Sequence, residues 1–459
     1  MNVYGIEVAI KNTPVLDKGF IPMAAFTSAF EASAKNGKDI AVAVERNQGQ
    51  VAVRRLKIHG TPAMDKADKV YVERTVKMLL WAYGGWKVVV CGDEALGRYI
   101  AEAYAPGGAR AFDADFMGRV YERDFTVEIR PLSETPEAYS ASAPVGRNLD
   151  GCRIGFDAGG SDRKVSAVVD GVPVYSEEVV WYPKTNSDPA YHYEGILSAF
   201  KSAASKMPRV DAIGVSSAGI YVDNRAMVAS LFLQVPRDEF DKQVKDIYIR
   251  AAKELGDVPL EVANDGDVTA LAGAMSLEEN RILGIAMGTS EAAGYVDPEG
   301  HIKPWLNELA FAPVDYSEEG GVDEWSKDMG VGALYFSQQA VARLAPRAGF
   351  QFEGMPFPEQ LKKVQAAMAE GDERARKIYE TIGVHFGYAI AHYARFYDIR
   401  NLLFLGRVAS GDGGQIIIDK AEEVLRTEFP ELKIQLRVPD EKTKRHGQAV
   451  AAASLPALS

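Results

Sequence analysis

The chain has 459 residues, too many for one ordinary hydrophobic core, so we expect two or three packed units. Its composition, 47% hydrophobic and 25% charged, is that of a folded globular protein and excludes a mainly disordered chain. The net charge of −12 counts against a nucleic-acid binder, because such proteins concentrate basic residues on one surface.

The first part of the chain, residues 1–130, alternates short strands and helices. Asn47-Gln48-Gly49 predicts a hairpin turn between two strands. Residues 131–150 are rich in Pro, Ser and Gly, which predicts a linker after an N-terminal α/β domain. The predicted elements are strands 39–45, 50–58 and 86–91 and helices 68–83 and 94–105.

A new unit begins at Cys152, after the linker. Its elements follow the order βββαβαβα, which is that of one actin-type lobe, and we place this lobe at 151–280. The predicted strands are 152–157, 165–169, 172–180, 212–216 and 260–262, and the helices are 193–205, 238–255 and 269–275.

The strand and hairpin pattern then restarts at Arg281 and predicts a second lobe of the same design over 281–440. A helix within 441–459 is expected to return to the first lobe. The predicted fold class is therefore α/β, with two actin-like ATPase lobes around a cleft and an additional N-terminal α/β domain. The predicted strands are 281–286, 293–296 and 402–405, and the helices are 328–344, 357–370, 372–397 and 416–427.

Residues 39–105 and 281–427 share the order hairpin, long helix, strand, helix. One interpretation makes the N-terminal domain a degenerate copy of the second lobe. The other is that this order arose by chance, since it is common in α/β proteins. The sequence leaves both open.

A glycine-rich turn joins the first two strands of the first lobe, where residues 157–164 read Asp-Ala-Gly-Gly-Ser-Asp-Arg-Lys. Glycines let the backbone approach a phosphate and turn its N–H groups toward it. Asp157 can hold Mg²⁺ through water. A surface hairpin with convenient glycines is the alternative. The phosphate-binding candidates are Gly159, Gly160, Ser161 and Lys164, with Arg163 as an alternative cation.

The equivalent turn of the second lobe is Gly288-Thr289-Ser290. Two turns of small and hydroxylated residues make a phosphate clamp a better explanation than either turn would alone. Lobes of one design would place the two turns face to face across the cleft. Gly288, Thr289 and Ser290 are therefore also predicted to bind phosphate.

A polar segment follows the strand at 260–262. Asn264 and Asp265 lie just past the strand end, where α/β folds place ligands. The Asp265 carboxylate can accept the proton of a sugar hydroxyl as it attacks the γ-phosphate of ATP. Asn264 can hold the same sugar by hydrogen bonds. Asp267 is better explained as the N-cap of a helix that begins at Thr269.

Over residues 152–455 these motifs resemble the ROK family (repressors, open reading frames and kinases) of the actin-like ATPase superfamily. Segment 157–161 is similar to the family's phosphate motif, and 288–290 to its second one. Segment 261–272 resembles the one that carries the general base, which falls on Asp265. From the resemblance alone, Gly219, Glu308 and Glu324 would contact the sugar and Gly406 the nucleotide.

The resemblance implies a kinase that transfers the γ-phosphate of ATP to a hydroxyl of a hexose or amino sugar, with ATP and Mg²⁺ as cofactors. The chain departs from the family at several positions. Phe311 stands where a histidine contacts sugar and often zinc, and Ser230 where an asparagine is frequent. Ser290 and Arg407 replace glycines. The family's zinc cysteines are absent, so no structural zinc is expected.

Two other functions stay open at this point. A non-catalytic sensor of sugar or nucleotide would explain Phe311, while the intact Asn264-Asp265 pair opposes it. A different actin-like ATPase is the third interpretation, although Cys91 and Cys152 are too few for the iron–sulfur cluster of activator ATPases.

The sequence also bears on location and partners. No apolar run approaches the ~18–20 residues of a membrane helix, and the N-terminus lacks the features of a signal peptide. We therefore expect a cytoplasmic protein with a small sugar as partner, no nucleic acid and no membrane. A homodimer is left open.

Overall fold

The computed structural model describes residues 1–141, 144–438 and 441–458, with the backbone alone at 441–446. The predicted boundary at 440 and the chain end at 459 lie outside the described residues. Three larger sheets, each flanked by helices, form an α/β protein. In the part of the chain that is described, no helix combines the length and apolar character needed to cross a membrane.

The N-terminal sheet has the strand order β4-β3-β5-β6. Its first two strands form the predicted hairpin, with Ala43 opposite Val53. The helices α1 and α4, the strand β6 and the short pair β1–β2 were not predicted. The elements are β1 Asn2–Val3, β2 Ile6–Glu7, α1 Met23–Ser33, β3 Lys38–Glu45, β4 Val51–Ile58, α2 Asp65–Tyr83, β5 Lys87–Cys91, α3 Glu94–Tyr104, α4 Ala111–Tyr121 and β6 Thr126–Arg130.

The first-lobe sheet has the order β13-β10-β7-β8-β9, with β7, β10 and β13 parallel. β7 and β10 lie inside the sheet and are almost fully buried, whereas β13 forms its edge and is only partly buried. The elements are β7 Cys152–Ala158, β8 Asp162–Val169, β9 Val172–Val180, α5 Pro189–Ala204, β10 Ala212–Ser217, β11 Ile220–Val222, β12 Arg225–Val228, α6 Arg237–Glu239, α7 Ile247–Lys253, β13 Leu260–Asn264 and α8 Asp265–Leu277.

The second-lobe sheet has the order β15-β14-β16-β17. The predicted helix over 328–344 is wrong in its first half, because α9 begins only at Gln338, after the N-cap Ser337. The elements are β14 Ile282–Met287, β15 Glu291–Val296, α9 Gln338–Ala348, α10 Phe357–Ala369, α11 Glu373–Tyr393, β16 Asn401–Leu405, α12 Asp412–Glu428, β17 Gln435–Arg437 and α13 Glu441–Ala453.

The C-terminal helix α13 packs directly on the first-lobe sheet. A Cβ atom added to Gly155 would lie 2.1 Å from the Ala449 carbonyl oxygen, and one added to Gly214 would lie 1.7 Å from that of Ala452. Glycines on β7 and β10 therefore allow a backbone contact that no larger residue would permit.

The N-terminal sheet is not a simple copy of the second-lobe sheet. Strand β3 runs antiparallel to β5, whereas the corresponding pair β14 and β16 is parallel. The shared element order in the sequence therefore hides a difference in strand direction, which counts against the degenerate-copy interpretation.

One hydrophobic core joins the N-terminal part to the second lobe. Val42 and Leu79 belong to the same buried cluster as Tyr335 and Phe404, whereas the first lobe has a cluster of its own. Removing the N-terminal part would therefore expose apolar surface of the second lobe.

A buried group of charges, here called the interface cluster, spans the same boundary. Asp328 lies in the loop before α9 and pairs with Arg74 at 2.7 Å, Lys77 at 3.1 Å and Arg110 at 2.8 Å. Burial acts to raise the pKa of Asp328, but Arg74 and Lys77 hold it well below its usual value. The cluster consists of Glu73, Arg74, Lys77, Arg110, Asp113 and Asp328.

Candidate active site

Three parallel strands of the first lobe end side by side at one edge of the sheet. In the register of these strands, Asp157 pairs with Ser216, and Ser217 pairs with Asn264. The predicted candidates on β7 and after β13 are thus brought to one place, where open α/β sheets bind ligands.

The Asp157 carboxyl group lies at the end of β7 and accepts a hydrogen bond from the Ser216 hydroxyl at 3.0 Å. Burial raises its pKa to about 6, against the lowering effect of Ser216 and of the Lys164 charge. The charge of Asp265 adds to the increase, so Asp157 and Asp265 lie within electrostatic reach of each other.

Asp265 is the first residue of α8, which begins four residues earlier than predicted. Its Oδ1 accepts a hydrogen bond from the Gly266 N–H at 3.0 Å. Burial raises the pKa of Asp265, while that backbone bond and the charge of Lys184 act to lower it. A partly buried carboxylate at a helix start is held by rigid backbone on both sides.

Asn264 has a structural role that the sequence did not reveal. Its Oδ1 caps α8 by accepting from the Gly266 N–H at 2.8 Å, and its Nδ2 donates to the Gly219 carbonyl at 2.7 Å. The amide therefore ties the end of β13 to the Gly219 turn, whose φ of +136° favours glycine. Two predicted sugar ligands, Gly219 and Asn264, are thus in direct contact.

The prediction for Asp267 is wrong: Asn264, not Asp267, caps the helix. The Asp267 Oδ1 instead accepts from the Tyr295 N–H at 3.0 Å and from the Asn307 Nδ2 at 2.9 Å. Burial raises the pKa of Asp267 to about 8 despite these two donors. Asp267 therefore ties α8 to β15 and to the segment before Glu308.

Two glutamates of the second lobe extend this acidic region. Burial raises the pKa of Glu308 to about 7, with a further contribution from the charge of Asp265. Burial also raises the pKa of Glu291 to about 8, against a hydrogen bond from the Tyr393 hydroxyl at 3.2 Å. Glu291 was missed, although an acidic residue in the otherwise apolar strand 291–296 was a signal. We call Asp157, Asp265, Asp267, Glu291 and Glu308 the carboxyl cluster.

The first-lobe hairpin presents its glycines near this cluster. Gly160 and Ser161 are exposed, and the Gly159 carbonyl accepts from the Trp181 Nε1 at 2.8 Å. The predicted cation Lys164 forms an ion pair with Asp162 at 3.2 Å, so part of its charge is already compensated.

The second-lobe turn is open to solvent at Thr289 and Ser290. A Cβ atom on Gly288 would meet only the Ser290 carbonyl oxygen, at 3.6 Å. Gly406 follows β16 with φ +96°, and a Cβ there would lie 2.5 Å from the Met287 carbonyl oxygen. Gly288 and Gly406, predicted from separate motifs, therefore lie at adjacent strand ends.

The remaining predictions lie apart from this group. Glu324 is exposed in the loop before α9, and within the described residues no hydrogen bond or ion pair links it to the other candidates. Phe311 packs on Trp81 of α2 with ring centroids 4.5 Å apart. The N-terminal part thus supplies an aromatic partner for Phe311, which explains an apolar residue there.

In the described ranges no three His, Cys, Asp or Glu side chains are grouped so as to hold a metal ion.

Comparison with known proteins adds information on the fold. No protein-family model matches the sequence, and no curated protein matches it. Among solved structures, a ROK hexokinase from Thermus thermophilus is similar, with a TM-score of 0.51 and 18% identity over 66% of this chain and 97% of that one.

Two further solved structures are similar at 18% identity. A ROK-family glucokinase from Streptomyces griseus, solved with glucose and AMPPNP, covers 67% of this chain and 99% of its own, with a TM-score of 0.46. For a ROK-family transcriptional regulator, a homologue of the E. coli MLC protein, the match covers 67% of this chain and 79% of the regulator, with a TM-score of 0.49. The predicted two-lobed α/β fold is confirmed over about two thirds of this chain, which has the fold of that ROK hexokinase, and the separate N-terminal domain stays a prediction.

Proposed function

We propose that the protein is an ATP-dependent kinase that transfers the γ-phosphate to a hydroxyl of a hexose or amino sugar, with Asp265 as general base. The observation that carries this proposal is the convergence of Asp157 and Asp265 at the ends of parallel strands beside an exposed glycine hairpin. Sugar kinases need these parts together, because phosphoryl transfer depends on positioning and charge stabilisation.

Asp265 is suited to take a proton. In the described chain its carboxylate has no side-chain hydrogen-bond partner, and it accepts only from the Gly266 N–H. Burial raises its pKa, which strengthens it as a proton acceptor relative to an exposed aspartate. A sugar hydroxyl would give its proton to Asp265 as its oxygen attacks the γ-phosphorus, and the bridging oxygen would leave with ADP.

The glycine turns and the Asp157 carboxylate beside them fit ATP and Mg²⁺. The turn at Gly288 is open enough for a phosphate to reach its backbone, and Gly159 and Gly160 offer a second turn. Asp157 alone would hold Mg²⁺ through water, as one carboxylate suits a largely hydrated ion. Bound Mg²⁺ would supply charge neutralisation on the phosphates.

The sugar would lie against Asn264, Gly219 and Glu308. Asn264 already uses its amide within the protein, so its role would be mainly to fix the Gly219 turn as a wall of the site. Glu308 is better placed to accept from sugar hydroxyls, since it shares the electrostatic surroundings of Asp265. Glu324 is the weakest candidate, because it is exposed and, among the described residues, forms no hydrogen bond or ion pair with the group.

A sensor without catalysis is the second candidate. It is favoured by Phe311, which packs among aromatic rings of the N-terminal part and presents no polar atom to a sugar.

A coupled assay of ADP release against a panel of hexoses and amino sugars tests both candidates. Turnover with one sugar, lost in Asp265→Asn, supports the kinase. Saturable sugar binding without turnover at any ATP concentration supports the sensor. ADP release that no sugar stimulates, with no sugar bound, would contradict both.

A further inference from the structure

Lys184 lies in the turn Pro183–Thr185 after β9, and its side chain reaches back over the first-lobe hairpin. A Cβ atom added to Gly160 would lie 2.7 Å from the Lys184 Cε and 2.9 Å from its Nζ. The ammonium group therefore lies beside the backbone of the glycine turn, although two strands, β8 and β9, separate the two in sequence.

The Lys184 ammonium has no ion-pair partner among the described residues. It makes no hydrogen bond within them either, and the side chain is exposed. Lys164, the cation predicted from the sequence, is paired with Asp162 at 3.2 Å. Of these two lysines, Lys184 is thus the one whose charge and donors are not shared with a neighbouring carboxylate in the described chain.

The turn that carries Lys184 is anchored. Pro183 is buried, and its carbonyl lies 2.9 Å from the Nε2 of the buried His192. The Thr185 hydroxyl donates to the Tyr182 carbonyl at 3.3 Å. The backbone position of Lys184 is therefore fixed, and only its side chain needs to be ordered when an anion binds.

Lys184 also acts electrostatically on the proposed base. Its charge acts to lower the pKa of Asp265, although burial raises that pKa more strongly. The Lys184 ammonium thus lies beside the phosphate turn and within electrostatic reach of the proposed base, where it can stabilise the charge of a transferred phosphoryl group.

We infer that Lys184, rather than Lys164, binds the terminal phosphates of the nucleotide at the Gly159-Gly160 turn. An ammonium beside glycine N–H groups matches the charge and the acceptor oxygens of a phosphate. The inference rests on the proposed function for the identity of the donor, but nucleotide binding tests it without knowledge of the sugar.

The test is equilibrium binding of ATP, ADP and AMP with Mg²⁺ to the full chain and to Lys184→Met, Lys184→Arg and Lys201→Met. Lys201 is an exposed lysine near the end of α5 and serves as the matched control. We expect Lys184→Met to weaken ATP binding on the order of 10–100-fold, the usual range for a charged hydrogen bond, and AMP binding much less. Lys184→Arg should retain most of the affinity, and Lys201→Met all of it.

Three results would overturn the inference. Unchanged ATP affinity in Lys184→Met, with the parent chain binding ATP, would reject Lys184 alone and leave the kinase proposal standing. An equal loss for ATP, ADP and AMP would show that Lys184 supports the turn rather than the terminal phosphates. A parent chain that binds no nucleotide would reject the proposed function together with the inference. Circular dichroism and thermal melts establish that each variant is folded.

Discussion

Two buried groups of charged residues in this protein are built in opposite ways. In the interface cluster, Asp328 is surrounded by Arg74, Lys77 and Arg110, and its pKa is lowered. In the carboxyl cluster, all five acidic groups have a raised pKa, and burial is the main cause in each case. The compensation in the interface cluster is not uniform, since burial raises the pKa of Asp113 even beside Lys77.

The difference is the one expected between charges that hold a fold together and charges that bind a ligand. A buried carboxylate whose role is to hold two elements together is stable when cations surround it. In the carboxyl cluster, Lys164 and Lys184 act on Asp157 and Asp265 but do not offset the effect of burial, and carboxyl groups with a pKa raised in this way concentrate at functional sites. A ligand that brings cations, such as a magnesium nucleotide, would supply the missing compensation in the carboxyl cluster.

The largest effect is expected from Asp265→Asn, which keeps the shape and hydrogen bonding of the side chain but cannot take a proton. We expect kcat to fall on the order of 10²–10⁴-fold with sugar binding retained. Asp267→Asn is the matched control, two residues away in the same cluster, and should keep turnover within a few-fold. Steady-state kinetics on the best sugar measures both variants. Near-normal kcat in Asp265→Asn with a large loss in Asp267→Asn would identify Asp267 as the base instead.

The sequence predicted the part of this site that local motifs define. Asp157 and Asp265 stand at the ends of apolar strands, and two carboxylates in these positions predict a ligand site from the sequence alone. The role of Asp267 was mistaken because its partners Tyr295 and Asn307 lie in the other lobe. A capping motif is local, whereas these contacts depend on how the two lobes meet.

Neither the interface cluster nor the position of Lys184 beside Gly160 could be predicted from the sequence, because both depend on contacts between distant segments. Asp328 is separated from Arg74 by more than half of the chain, and nothing in its neighbourhood signals a buried ion pair. The predicted helix over 328–344 even placed Asp328 in the wrong element, because an apolar periodicity that holds after Gln338 was extended too far. The role proposed for Lys184 depends on the antiparallel pairing of β8 and β9, which brings Lys184 back to Gly160.

Asp328→Ala tests the structural half of the comparison. Removing the anion leaves Arg74, Lys77 and Arg110 buried with less compensation, and breaking a buried pair in this way costs about 3–5 kcal/mol. Urea unfolding should show this loss in the free energy of unfolding. Glu324→Ala, four residues away and exposed, should change it by no more than ~0.5 kcal/mol. A loss below ~1 kcal/mol for Asp328→Ala would mean that water compensates these cations.

The smallest effect concerns the pH dependence of stability, and Asp267→Asn isolates it. Burial raises the pKa of Asp267 to about 8, whereas an aspartate in the unfolded chain titrates near ~4. Between these two values the folded state keeps a proton that the unfolded state has released, so rising pH favours unfolding, and the loss levels off above about 8.

The asparagine side chain introduced by Asp267→Asn would keep an acceptor for the Tyr295 N–H and the Asn307 amide but would not titrate. The stability of Asp267→Asn relative to the parent should therefore rise steadily from pH 5 to pH 8, as followed by thermal melts at each pH. The stability of Asp267→Asn itself will still fall with rising pH, because burial also raises the pKa of Glu291 to about 8 and Glu291 is unchanged in the variant. Glu299→Gln, an exposed change, should run parallel to the parent at every pH. If Asp267→Asn also runs parallel, the carboxyl cluster is ionised in the folded state and already finds its compensation within the protein.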